Sequence, residues 1–229
     1  MSDDVEDRLE RAAIRLYRRY AVEIVEGLTF CPYAERARLD GHTRELVISE
    51  RVPIDAAVLK RVEEVAEDEG IEIALVIFPR LELTRLELGR WVEGLRKAHA
   101  RHRGGKTILA IEGFHPIAEA DLSDKERLTP FVRRTPDPTL QLTRLDSLVK
   151  VRRGTSTGTG FFDPETMDFE AMLSEEPKRP LHERIAEMNL ASVKRLGVPE
   201  VERRLHDILR ERDEVYAAID PTITRRFDG

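Results

Sequence analysis

Cysteine is almost absent from this sequence, because Cys31 is the only one among 229 residues. A single cysteine excludes an internal disulfide bond and is typical of proteins from a reducing compartment. Long apolar runs are also missing, since the longest, residues 73–78, is too short to span a bilayer. The N-terminal stretch MSDDVEDRLE is acidic, where a signal peptide would be basic and then apolar. We therefore expect a cytoplasmic protein without a membrane segment.

An excess of positive charge is missing as well. The formal net charge is −6, which leaves no electrostatic footprint for nucleic acid or for an anionic membrane. No run of acidic residues or histidines has the spacing of a metal centre, and nothing in the sequence identifies a cofactor. The length of the chain fits one large domain, or a core domain with an appendage.

The middle of the chain alternates between strand-like and helix-like patterns. Residues 43–49 and 107–113 are strand candidates, and residues 71–78 (IEIALVIF) are nearly all apolar, as in a strand buried on both faces. Helical periodicity separates them at 53–70 and 84–102. This alternation predicts an α/β fold with a small, mainly parallel sheet of three or four strands flanked by helices. We expect the second and third strands to be inner strands; a ferredoxin-like α+β sandwich is the alternative.

Helical patterns also occur on either side of this alternation. A long helix runs from the first residues to Gly27, and Pro32 begins a short second helix with Cys31 as its N-cap. Residues 117–138 have the composition of a loop. Residues 139–149 (TLQLTRLDSLV) fit either a helix or a fourth strand, and we favour the helix.

The domain organisation follows from where the patterns weaken. Residues 1–151 form the predicted α/β core domain, and residues 152–179, which include RRGTSTGTG, form a flexible connector. Residues 180–229 form a C-terminal extension of charged amphipathic helices that pack on the core. These helices also offer a surface for a homo-oligomer.

Cys31 has two opposing interpretations. At a helix N-cap its sulfur faces unsatisfied backbone N–H groups and the positive end of the helix dipole, which lowers the thiol pKa and favours a reactive thiolate. Free cysteines are also among the most buried residues, and burial raises the thiol pKa. The residue is either a reactive group or an inert part of the core.

His115 is the second candidate, because it directly follows a predicted strand. Ligands of open α/β sheets bind beyond the carboxyl ends of the strands. Histidine has a pKa near neutrality and two ring nitrogens, which suit proton transfer or anion binding. The alternative is a ring that satisfies backbone groups where the chain turns into Pro116.

Three polar residues farther along the chain are candidates for ligand binding. Arg134 lies in the proline-stiffened segment RRTPDPT, which would hold its guanidinium in place for a phosphate or carboxylate, and Arg144 follows. The alternative for the arginines is a solvated surface. Asn189 lies on an apolar helical stripe, where its amide either caps a buried backbone group or points into a site.

Four fragments, in order, resemble one family. They are GLTFCPYA at 27–34, the strand with Phe-His-Pro at 107–116, RRTPDPTLQLTR at 133–144, and LHERIAEMNLASVKRLG at 181–197. Together they are similar to the bacterial proteins grouped as domain of unknown function 1415. The resemblance spans residues 5–197, with Tyr33 where the family usually has Phe and Asp137 where it usually has Tyr.

The resemblance implies no reaction, but it implies that five polar residues belong to one site. These are Cys31, His115, Arg134, Arg144 and Asn189.

Two functions are compatible with such a site. The first, which we favour, is an enzyme acting on a small phosphate- or carboxylate-bearing molecule, with His115 as general acid or base and Cys31 as nucleophile. In that case Arg134, Arg144 and Asn189 would bind the substrate. The second is a non-catalytic module that binds a metabolite or a partner protein, with Cys31 buried and inert.

Overall fold

A four-stranded mixed sheet forms the centre of the computed structural model, which describes residues 2–52, 55–147 and 181–224. The strand order is β1-β2-β4-β3. Strands β1 and β2 are parallel, whereas β4 lies antiparallel to both β2 and β3, so that only β4 runs against the other three. The strands are β1 (Thr43–Val47), β2 (Ile73–Ile77), β3 (Leu109–Phe114) and β4 (Thr139–Arg144).

Helices cover both faces of this sheet. One face packs against α3 and α4, and the other against α1, α2, α5, α6 and α7. The predicted α/β fold is thereby confirmed, whereas a ferredoxin-like sandwich has its helices on one face only. The helices are α1 (Ser2–Tyr20), continued by a π-helix (Ala21–Glu26), α2 (Pro32–Leu39), α3 (Asp55–Glu67), α4 (Arg85–His102), α5 (Lys125–Val132), α6 (Leu181–Leu196) and α7 (Val198–Ile219).

Strand β2 explains why two helical layers form. Successive side chains of a strand point to opposite faces, and in β2 both sets are apolar and buried. Ile73, Leu75 and Ile77 enter the core under α1, while Ala74 and Val76 enter the core under α3 and α4. The continuous apolar run in the sequence therefore predicted this strand correctly.

The expectation that 107–113 is an inner strand was wrong, because β3 is an edge strand. Strand β4, for which we favoured a helix, occupies the inner position between β2 and β3. Its Leu140 and Leu142 are fully buried at a spacing of two, and helical backbone begins only at Leu145. The leucines of this segment have a helix-like spacing because the strand is followed directly by a helical turn.

Part of the predicted loop 117–138 is also helical. Helix α5 begins after Asp124, whose carboxylate accepts hydrogen bonds from the N–H groups of Glu126 and Arg127. Aspartate at this position stabilises the first turn of a helix. Leu128 and Phe131 of α5 are buried against the sheet.

The C-terminal helices pack against the same face as α1. Helix α7 lies along α1, and α6 lies along α5, with Leu205 and Ile208 of α7 buried. Their apolar stripe is used within the chain, and a homo-oligomer through these helices stays a prediction. The predicted connector at 152–179 lies outside the described residues. In the described ranges no helix is long and apolar enough to cross a membrane.

Candidate functional site

A cavity of ≈ 440 Å³ lies between the sheet and the helices of the α1 side. We call it the sheet cavity. All four strands contribute to its floor, while α1, the π-helix, α2, α5 and α6 contribute to its walls. The volume lies in the range of binding sites for small molecules.

The floor of the sheet cavity is polar, although it is the face of a sheet covered by helices. The strand register aligns Glu45, Leu75, Gln141 and Glu112 in one row across β1, β2, β4 and β3. Gln141 donates a hydrogen bond to the hydroxyl of Thr143 in the neighbouring row (3.1 Å). The two glutamates lie on the edge strands and pair with arginines, whereas Gln141 and Thr143 lie on the inner strand β4, where a sheet face under helices is normally apolar.

The walls combine aromatic rings with charges that are already paired. Tyr17, Tyr20, Phe30, Tyr33 and Phe114 line the cavity. At the rim, two bidentate pairs join Arg18 to Glu45 (2.9 and 3.0 Å) and Arg38 to Glu26 (2.6 and 2.7 Å). Within each pair the two charges neutralise each other, which leaves the interior of the cavity mainly apolar.

Two buried oxygen atoms of residues that line the cavity have no hydrogen-bond partner among the described residues. They are Oγ1 of Thr43, on β1, and Oδ1 of Asn189, on α6. A buried polar atom without a partner costs roughly 1–3 kcal/mol, and such atoms are rare in folded proteins. Both residues line the sheet cavity, although these two oxygens themselves are almost inaccessible.

The backbone is irregular where α1 borders the cavity. The last turns of this helix form a π-helix, a rare geometry that is frequent at functional sites, and Ala21 and Val25 of it line the cavity. Farther on, Thr29 has φ 59, a left-handed conformation that is uncommon for a residue with a side chain. The segment GLTFCPYA thus reaches the cavity wall through an unusual backbone.

Cys31 lies at the predicted N-cap position of α2 and lines the sheet cavity. Burial raises the pKa of its thiol above the ordinary value, although the N–H groups of Ala34 and Tyr33 and the charge of Arg133 act in the opposite direction. Because the rise from desolvation is the larger effect, the thiol is predominantly protonated at neutral pH. The lowered pKa that a reactive thiol would need is not found.

His115 borders a different cavity of ≈ 270 Å³, between α4, α5 and the edge strand β3. Its Nε2 lies 2.8 Å from the carbonyl oxygen of Leu83, and its Nδ1 accepts a hydrogen bond from the N–H of Ile117 (3.1 Å). Both ring nitrogens therefore bond to the backbone, which is the alternative that the sequence left open. His115 and Cys31 line different cavities.

Arg134 is buried, and it lines neither cavity. Its guanidinium lies 4.3 Å from the ring centre of Phe131, and Nη1 lies 3.8 Å from a carboxylate oxygen of Glu202. Nε and Nη2 have no hydrogen-bond partner within the described ranges, and burial lowers the pKa of the guanidinium. Neighbouring Arg133 points instead toward Phe114, at 5.4 Å, so the two arginines do not form one fork.

Arg144 is held by backbone carbonyl groups, and its role in ligand binding stays a prediction. Its Nε donates to the carbonyl oxygen of Ile71 (2.9 Å), and its Nη2 donates to those of Val65 (3.1 Å) and Asp68 (2.7 Å). These carbonyl groups include the carboxyl end of α3, where helices leave oxygens unpaired. The guanidinium is occupied by the backbone and caps this helix.

Of the five predicted site residues, the sheet cavity brings together Cys31 and Asn189. The residues that sequence reasoning missed are the polar ones of the floor, above all Gln141 and Thr143. Their alternation with Leu140 and Leu142 in TLQLTR was the available signal. The helical interpretation of residues 139–149 conceals this signal.

Comparison with known proteins gives a family but no characterised relative. Neither the search of curated proteins nor the search of solved structures found a match. The family described as "Protein of unknown function (DUF1415)" has a model that matches residues 12–158. This range includes Cys31, His115 and Arg144, whereas Asn189 lies beyond it. Because the match covers more than half of the chain, the protein belongs to this family of unknown function.

Proposed function

We propose that the protein binds a small, mainly apolar molecule in the sheet cavity and holds it by noncovalent contacts. The observation that carries this proposal is the polar floor under an aromatic-lined cavity, with two buried oxygens of its lining residues left without partners in the described part of the chain. A packed core would be more stable with apolar side chains at these positions. A ligand would supply the missing hydrogen bonds.

The lining suggests the chemistry of the ligand. Aromatic rings on several walls favour a flat, apolar body. The Oδ1 atom of Asn189 only accepts hydrogen bonds, so the ligand would present a hydroxyl or amine donor to it. The hydroxyl of Thr43 and the amide of Gln141 offer further polar contacts along the floor.

The enzyme hypothesis has less support than the binding hypothesis. A nucleophilic thiol needs a lowered pKa or an adjacent base, whereas burial raises the pKa of Cys31. Both ring nitrogens of His115 are engaged by backbone groups. Anion binding, which the sequence suggested for Arg134 and Arg144, finds no support in the sheet cavity, since neither arginine lines it.

A fluorescence titration with N-phenyl-1-naphthylamine tests the proposal. This neutral probe has two aromatic parts and one N–H donor, and its emission rises in apolar surroundings. We expect saturable binding of one probe per chain. Ala110→Leu places extra atoms in the cavity floor and should weaken binding by about tenfold, which corresponds to about 1.4 kcal/mol.

Ala57→Leu is the matched control, because Ala57 is exposed on α3 and lines neither cavity described above. It should bind the probe like the unmodified protein. The proposal fails if the native protein shows no saturable binding, or if the two substitutions have the same effect.

A further inference from the structure

The smaller cavity has a charge that the sheet cavity lacks. Three arginines from different parts of the chain line it: Arg85 and Arg96 from α4, and Arg133 from the end of α5. We call it the arginine groove. One carboxylate, that of Glu112 on β3, lines it with them. The lining charges sum to +2, in a protein whose net charge is −6.

The carboxylate of Glu112 holds two of the three arginines together. Its oxygens lie 3.1 Å from Nη2 of Arg96 and 3.6 Å from Nη1 of Arg133. Arg96 also contacts Glu93 (3.5 Å), which does not line the groove. The guanidinium of Arg85 is exposed and has no hydrogen bond or ion pair with any described residue.

Two of the three arginines, Arg96 and Arg133, are positioned before any ligand arrives. Nε of Arg96 donates to the carbonyl oxygen of Ile111 on the free edge of β3 (2.7 Å), and Arg133 lies 5.4 Å from the ring centre of Phe114. Gly113 allows α4 to approach this edge, because a Cβ atom there would lie only 2.9 Å from Cγ2 of Val92. Guanidinium groups fixed in this way lose little entropy when they bind an anion.

We propose that the arginine groove binds a phosphate group, held by Arg85, Arg96 and Arg133. A phosphate monoester carries a charge close to −2 at neutral pH, which matches the net charge of the lining. Its oxygens accept hydrogen bonds from several guanidinium groups at once. Glu112 keeps Arg96 and Arg133 together and competes with the phosphate for them.

This inference does not depend on the proposed function, although Arg133 and Glu112 border both cavities. The two are distinguished by their probes. Inorganic phosphate tests the groove, and N-phenyl-1-naphthylamine tests the sheet cavity. A loss of phosphate binding with an unchanged affinity for the neutral probe concerns the groove alone.

Calorimetric titration with inorganic phosphate at constant ionic strength is the test, with acetate at the same concentration as a monoanionic comparison. Arg85→Ala should weaken phosphate binding by about three- to tenfold, since it removes one charged contact without breaking another. Arg90→Ala, an exposed arginine on the same helix outside the groove, is the control and should leave affinity unchanged.

Glu112→Gln gives the opposite sign. It removes the competing negative charge and should strengthen phosphate binding by about three- to tenfold. The inference is overturned if phosphate does not bind more tightly than acetate, if Arg85→Ala and Arg90→Ala act alike, or if Glu112→Gln fails to strengthen binding.

Discussion

At the scale of single residues, the environment of a side chain decides what its chemistry does. Cys31 has the N-cap position that favours a thiolate, yet it is buried enough that desolvation dominates its pKa. The N-cap position could be predicted from the sequence, because Gly27 and Pro32 mark the end of one helix and the start of the next. The degree of burial could not, because it depends on elements far apart in the chain that pack into the core beside Cys31.

The reactivity of Cys31 follows from this raised pKa. At pH 7 iodoacetamide should modify Cys31 in the native protein more slowly than in urea-unfolded protein, and the native rate should still be rising with pH where the rate of the unfolded protein has levelled off. Mass spectrometry of timed samples measures both rates. Rapid native alkylation at pH 7 would restore the reactive-thiol interpretation.

At the scale of elements, the carboxylate of Glu63 joins two helices, α3 and α4, whose contact the sequence does not reveal. Glu63 of α3 lies 2.7 Å from Nδ1 of His99 and accepts a hydrogen bond from Nε of Arg103 (2.6 Å). Burial raises the pKa of Glu63, but these two partners outweigh it, and the net pKa lies below the ordinary value. The sequence shows two histidines near the end of α4, but it does not show that the carboxylate of Glu63 lies beside one of them.

The lowered pKa of Glu63 predicts a pH dependence of stability. A carboxylate with a lowered pKa in the folded state stabilises the fold at pH values above its unfolded pKa of about 4.5. That stabilisation is lost as the pH falls from there through the folded pKa. Glu63→Gln should therefore flatten the acid side of a plot of unfolding free energy against pH, measured by urea denaturation.

Glu64→Gln is the control for this experiment, since Glu64 is the next residue of α3 and its side chain is 41% exposed. It should leave the acid side nearly as steep as in the unmodified protein. An equal change in both variants would show that the link between α3 and α4 has no special role.

At the scale of the whole molecule, one buried cluster connects α7 to the sheet. Arg212 is fully buried, and its guanidinium donates to Asp137 (2.9 Å), Asp213 (2.6 Å) and the carbonyl oxygen of Pro79 (3.1 Å). The hydroxyl of Tyr216 donates to the other oxygen of Asp137 (2.7 Å). The cluster ties the C-terminal helix to the ends of β2 and β4, and it gives a structural reason for aspartate at position 137.

Removing the charge of Asp137 should destabilise the whole fold. Asp137→Asn keeps the shape of the side chain but leaves Arg212 with one carboxylate instead of two, and we expect a loss of about 3 kcal/mol in the free energy of unfolding. Asp207→Asn, a carboxylate of α7 that is 39% exposed, should cost about 0.5 kcal/mol or less. If urea denaturation gives similar losses for the two variants, the buried cluster contributes no more to stability than an exposed carboxylate does.

At the scale of the whole molecule, some features of the fold could be predicted from the sequence and others could not. Two helical layers followed from the apolar character of β2, a property of adjacent residues. The insertion of β4 beside it depends on pairing between residues far apart in the chain, such as Leu75 with Gln141. The sheet cavity follows from that insertion, because β4 brings Gln141 and Thr143 to the centre of its floor.

The most direct test of the binding proposal is to locate the bound probe by NMR. With N-phenyl-1-naphthylamine at saturating concentration, we expect nuclear Overhauser effects from its aromatic protons to the methyl groups of Ala110 on β3 and Ala186 on α6, which line the sheet cavity on different elements. The methyl group of Ala57 on α3 should show none. Contacts to Ala57, or the absence of contacts to both Ala110 and Ala186, would contradict a binding site between the sheet and its helices.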